Sequence, residues 1–202
     1  MNGYTGIHYE PNGSLAGVKR CEVLVCCVDN PLARLVSCFV AKLYLKPFLD
    51  IGTAVVGEAK SPHDRRIGAD IRFILPDRCI LCLGGLAGLQ RQGDDPAAMA
   101  SQVPLRNQGD DWRRQRAGSL RSLNQVATSL GLRLLEEFAQ ARLRSSVWLQ
   151  LDTSDHGIPS LSERTAHPQK LSCPVCRLAG RGDGGLHLLA SIVRNGPDID
   201  LI

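Results

Sequence analysis

The chain has 202 residues, 44% of them hydrophobic and 22% charged, enough to build one sizeable buried core. A formal net charge of only +4, from 24 basic and 20 acidic residues, argues against a nucleic-acid-binding role. No stretch reaches the roughly 20 apolar residues of a membrane span, and Met1 to His8 lacks the charged start and apolar run of a signal peptide.

Residues 1–20 are polar, rich in Gly and Asn, and show no periodicity. Cys21-Glu-Val-Leu-Val-Cys-Cys-Val28 is a short apolar run rich in β-branched residues, which predicts a strand over 22–28 buried on both faces. Asn30 is a plausible N-cap and Pro31 suits a first helical position. Leu32, Leu35, Val36, Phe39, Val40 and Leu43 then recur at helical spacing, predicting an amphipathic helix over 31–45. A second strand is expected at 47–56. Strand, helix, strand is a parallel crossover unit, so the expected class is α/β with a Rossmann-like, mostly parallel sheet.

Farther on, residues 69–75 alternate, with Ile71, Phe73 and Leu75 on one side and Asp70 and Arg72 on the other, the pattern of a half-exposed strand. Residues 88–117 and 153–170 lack periodicity and are expected to be mobile loops. Leu120, Leu123, Ala127, Leu130, Leu134 and Phe138 mark a helix from Ser119 to about residue 143, and 147–151 reads as another strand. The basic cluster of Arg113, Arg114 and Arg116 reads as a solvated loop.

Two Cys-x-x-Cys pairs, Cys79/Cys82 and Cys173/Cys176, supply the four sulfur ligands of a closed tetrahedral zinc site. Such a site stapling mid-chain to the C-terminal part is architectural, because four thiolates leave no open position for water. His167 is a competing ligand. Cys21, Cys26, Cys27 and Cys38 lie in apolar stretches and read as small hydrophobes, which suits a reducing cytoplasm. Asp29 closes a predicted strand and opens a helix, where open α/β sheets bind ligands; it reads either as a magnesium ligand or as a helix cap. Gly180-Arg-Gly182-Asp-Gly-Gly185 matches GxGxxG but follows a knuckle rather than a strand, so it reads as a turn. The five histidines are scattered and read as surface residues.

Together these segments resemble the ThiF/MoeB/HesA family of adenylating enzymes related to ubiquitin-activating enzymes. The likeness spans residues 20–176 and rests on Val25-Cys-Cys-Val-Asp29-Asn30-Pro-Leu-Ala-Arg34, Pro47-Phe-Leu-Asp-Ile-Gly52 with Gly57, both knuckles, and Gly118-Ser-Leu-Arg-Ser-Leu-Asn124. The resemblance implies adenylation of the C-terminal glycine of a ubiquitin-like or sulfur-carrier protein by ATP, with Asp29 holding magnesium. It also implies a homodimer or a heterodimer with a homologous subunit. The family's glycine-rich loop, ribose-binding acid and phosphate-contacting Arg and Lys precede its Asp-Asn motif, and none is found in the 28 residues before Asp29. Residues 1–202 are therefore expected to form a single incomplete domain of this type, from a truncated gene, a split enzyme or a degenerate subunit. Cys38 stands where the family has Asn. The absence of cysteine between Cys82 and Cys173 implies activity that stops at the adenylate. A non-catalytic, zinc-stapled binding module is the alternative.

Overall fold

The computed structural model describes residues 14–29, 31–56, 66–83, 120–153, 159–164, 173 and 175–188. Its first helix, α1 (Ser14–Arg20), leads into the short strand β1 (Leu24–Cys26). Helix α2 (Pro31–Leu43) then crosses over to β2 (Phe48–Val56). β1 and β2 pair in parallel, Leu24 opposite Phe48 and Cys26 opposite Asp50, as the strand–helix–strand pattern requires. Pro31 is the first residue of α2, where its fixed φ costs nothing and its missing N–H has no intrahelical role.

The rest of the sheet departs from expectation. β3 (Arg66–Ile74), β4 (Val147–Thr153) and β5 (Pro159–Arg164) complete a five-stranded sheet in the order β1-β2-β3-β4-β5. Every pairing after β1–β2 is antiparallel. The fold is α/β, but its sheet is mostly antiparallel rather than mostly parallel. Chain length accounts for two of the three pairings: only nine residues (66 − 56 − 1) separate β2 from β3 and five (159 − 153 − 1) separate β4 from β5, and a parallel return needs a dozen or more. β5 lies inside the expected loop 153–170, while the expected loop 88–117 and the Arg113–Arg116 cluster lie outside the described residues.

Between β3 and β4 runs the long helix α3 (Arg121–Ala139). The pleat divides two cores. On one face Cys26, Phe48, Ile74 and Trp148 pack with Leu35, Cys38, Phe39 and Leu43 of α2 and with both knuckles. On the other, Leu49, Ile71, Phe73 and Leu151 pack with Leu123, Ala127 and Leu134 of α3. β1 is not buried on both faces as expected: it is an edge strand, and Val25 is 52% exposed.

Both helices stop short of their expected ends, at Leu43 and Ala139, through the same device. After α2, Lys46 N–H reaches the Ala41 carbonyl at 2.8 Å and Leu45 N–H the Lys42 carbonyl at 3.2 Å, with Leu45 at φ 53°. After α3, Arg142 N–H bonds the Glu137 carbonyl and Ala141 N–H that of Phe138, with Ala141 at φ 55°. These are paired C-terminal caps built on a left-handed residue, a position usually taken by Gly.

Candidate metal centre

Pro76-Asp77 turns the chain out of β3, with Arg78 N–H bonded to the Leu75 carbonyl at 3.1 Å, and delivers Cys79 and Cys82 to the α2 side of the sheet. In each knuckle the first cysteine's carbonyl accepts an N–H four residues on: Leu83 to Cys79 and Arg177 to Cys173, both at 3.1 Å. One helical turn puts positions i and i+3 on one side, so each pair presents two sulfurs in one direction. The short 3-10 turn Cys176–Leu178 and a second at Gly182–Gly185 follow; the glycine run is a turn, as its context implies.

The knuckles converge although they are 94 residues apart. Cys79 Sγ lies 3.6 Å from Cys82 Sγ and 3.5 Å from Cys173 Sγ, and Cys82 Sγ lies 3.7 Å from Cys176 Sγ. All four ligand atoms fall within 4.8 Å of one another. These separations are far beyond the ~2.05 Å of a disulfide, and all four cysteines are free. They match the roughly 3.8 Å between sulfurs of a tetrahedron with ~2.3 Å metal–sulfur bonds. The four cysteines can therefore hold one metal ion. Hydrogen bonds among the thiols hold Cys82 and Cys173 toward thiolate, chiefly through Cys173 and Cys176 respectively. The same bonds push Cys79 and Cys176 up, Cys173 being the main partner of each. A cation bound here displaces the remaining protons. His167 lies outside the described residues.

Asp29 is exposed, two residues before α2 begins, at the carboxyl end of β1. The metal-binding cluster of three or more ligands found among the described residues is the cysteine one, and Asp29 does not belong to it. Next to it, Arg34 Nε donates to the Val28 carbonyl at 2.9 Å and Nη2 to the Ile51 carbonyl at 3.4 Å. Arg34 thus pins the first turn of α2 to the backbone just past β1 and to the interior of β2. Its guanidinium lies against Gly52, where an added Cβ would meet Nη2 at 2.0 Å. Gly52→Ala is expected to expel the guanidinium from this seat and cost about 1–3 kcal/mol, measured by urea unfolding.

Under Arg34 lies a charged cluster that the sequence reading missed. Arg72 Nη1 donates to Asp50 Oδ2 at 3.0 Å, Arg34 Nη1 stands 3.7 Å from the same oxygen, and Arg72 Nη2 lies 3.0 Å from Asp70 Oδ2. Trp148 closes the group, its Nε1 donating to Asp70 Oδ1 at 2.8 Å with Arg72 over its ring. Arg72 is not on an exposed side of β3, as its alternation with Ile71 and Phe73 suggests; it is fully buried. Burial pushes the Asp50 carboxyl up even though Arg34 and Arg72 pull it down. The available signal was Asp50 itself, a carboxylate inside the apolar run Phe48-Leu-Asp-Ile51.

Among the described residues no helix is long and apolar enough to cross a membrane. No protein-family model matches the chain, and no curated protein gives a significant match.

Proposed function

We propose that this chain is the zinc-stapled part of a ThiF-type adenylyltransferase domain, acting with ATP and magnesium on the C-terminal glycine of a ubiquitin-like or sulfur-carrier protein. The observation that carries the reading is one helix joining two features. α2 begins beside an exposed Asp29 at the carboxyl end of a parallel strand and, farther along, packs through Cys38 and Phe39 on a four-thiol centre. Zinc is the ion such a donor set favours, because it is borderline-soft and accepts four thiolates in a tetrahedron without redox chemistry. Four protein ligands make that site structural.

Magnesium is held by one or two carboxylates plus substrate phosphates, so the exposed Asp29 carboxylate is of the kind it takes. When bound, the ion neutralises charge on the departing pyrophosphate. The chain's own contribution is positional: Arg34 fixes the Val28 carbonyl, and with it the backbone that carries Asp29. ATP–pyrophosphate exchange, run on the chain together with the carrier protein, tests the reading. Asp29→Ala is expected to lower exchange by at least about 100-fold, and full exchange in that variant removes the metal role.

A second reading, a non-catalytic zinc-stapled module that docks a homologous subunit or the carrier, is favoured by the closed four-thiol centre, which leaves no open position for chemistry. Calorimetric ATP binding by this chain alone counts against it.

A further inference from the structure

We propose that Lys42 is both the counter-charge and the clasp of the four-cysteine centre, an inference that rests on zinc occupying that centre. Three charged residues are buried among those described: Lys42, Asp50 and Arg72. Asp50 and Arg72 pair with each other, whereas no described carboxylate lies within ion-pair distance of Lys42, which is 2% exposed. A buried ammonium without an opposite charge costs several kcal/mol. Four thiolates around one divalent zinc carry a net double negative charge, which is equally costly to bury alone. Each supplies what the other lacks.

Placement supports the pairing. Lys42 Nζ donates to the Pro76 carbonyl, three residues before Cys79. The Lys42 carbonyl accepts Gly180 N–H at 3.0 Å, four residues beyond Cys176. One residue therefore grips the approach to the first knuckle with its side chain and the exit of the second with its backbone. One turn earlier on the same helix, Cys38 Sγ accepts Ile80 N–H at 3.3 Å, inside the first knuckle. Gly180 sits at φ +77°, a conformation suited to glycine, and a Cβ added there would meet the Leu45 side chain at 3.5 Å. The C-terminal half of α2 is thus the surface on which the two distant knuckles meet.

The test is zinc competition against a chromogenic chelator in the full chain. Lys42→Met keeps the length and loses donor and charge; it is expected to weaken zinc binding about 10- to 100-fold, as loss of a supporting hydrogen bond does in other metal sites. Lys42→Arg is expected to restore most of the affinity. In cobalt-substituted protein the thiolate-to-cobalt charge-transfer band should shift in the Met variant and return toward its original position in the Arg variant. A lysine that merely packs the helix would lower the stability of metal-free and metal-bound protein alike. Unchanged affinity with an unchanged band overturns the proposal. If Lys42→Met does not fold, Gly180→Ala, which strains only the backbone half of the clasp, is expected to speed zinc loss; unaltered zinc retention there also overturns it. A wild-type chain without zinc defeats the reading on which this rests, whereas bound zinc insensitive to Lys42 defeats this inference alone.

Discussion

Cys79→Ser is expected to reduce bound zinc from roughly one per chain to a small fraction and to lower the melting temperature by about 8–16 °C. A serine hydroxyl is not deprotonated near neutral pH, so the variant offers three thiolates and one poor ligand. Cys79 is wholly buried and its sulfur contacts those of both Cys82 and Cys173, so no solvent ligand replaces it without disturbing the packed face under α2. Structural zinc contributes roughly 10–16 kcal/mol of apparent binding energy in small peptides, and that energy is folding energy. A third of it, about 4 kcal/mol, gives the stated shift at about 2–4 °C per kcal/mol for a chain of this size. The effect should be local as well. Residues 175–188 are held by Cys173 and Cys176, by the Lys42–Gly180 hydrogen bond, and by Asp183, which accepts from Lys19 at 2.7 Å and Tyr44 at 2.5 Å. Losing zinc should raise amide exchange there more than in α3, which packs on the opposite face.

The second large effect concerns the buried charges beneath Arg34. Asp50→Ala leaves the fully buried Arg72 guanidinium with Asp70 alone, and is expected to cost about 3–5 kcal/mol. Asp50→Leu combined with Arg72→Met is expected to recover most or all of that loss. The direction of the Asp50 shift explains why. Desolvation outweighs the attraction of both arginines, so ionisation of Asp50 is harder in the folded chain than in the unfolded one. The sign of the pH effect follows. With the folded value raised above the ordinary one, the favourable contribution of this group is full below the unfolded value and is lost as pH rises through the folded value. The pair therefore does not stabilise the fold relative to apolar side chains, while either partner left alone is expensive. Among the described residues Asp50 Oδ1 and Arg72 Nε have no hydrogen-bond partner, which adds to the cost of keeping the cluster. Urea unfolding of Asp50→Leu, Arg72→Met and the double variant measures the coupling directly. Additive losses would contradict it.

What could be read from the sequence was whatever leaves a local trace. The spacing within each knuckle predicts two sulfurs on one side of a turn, and the structure brings all four together. The apolar spacing after Asp29 predicts α2, and the crossover it makes is parallel. The nine residues between β2 and β3 already exclude a parallel return there, whereas the long, helix-bearing connection between β3 and β4 leaves no such trace of direction. β5 left no trace because Pro159-Ser-Leu-Ser-Glu-Arg164 buries no face; all six residues are exposed and the strand is held by its ladder to β4. Helix ends were misplaced because Leu45 and Ala141 occupy left-handed caps without glycine. Arg72 was misread because alternation reports polarity and not burial, and only its pairing with Asp50 from the neighbouring strand explains its place.

The central claim is that a metal at Cys79, Cys82, Cys173 and Cys176 joins two distant parts of the chain over α2. Elemental analysis of the unmutated protein, purified without chelator, tests it most directly. The proposed zinc site is expected to give zinc at roughly one equivalent per chain, with these four thiols protected from alkylation until the metal is removed. Zinc near zero with all four thiols freely alkylated in the folded protein would contradict it.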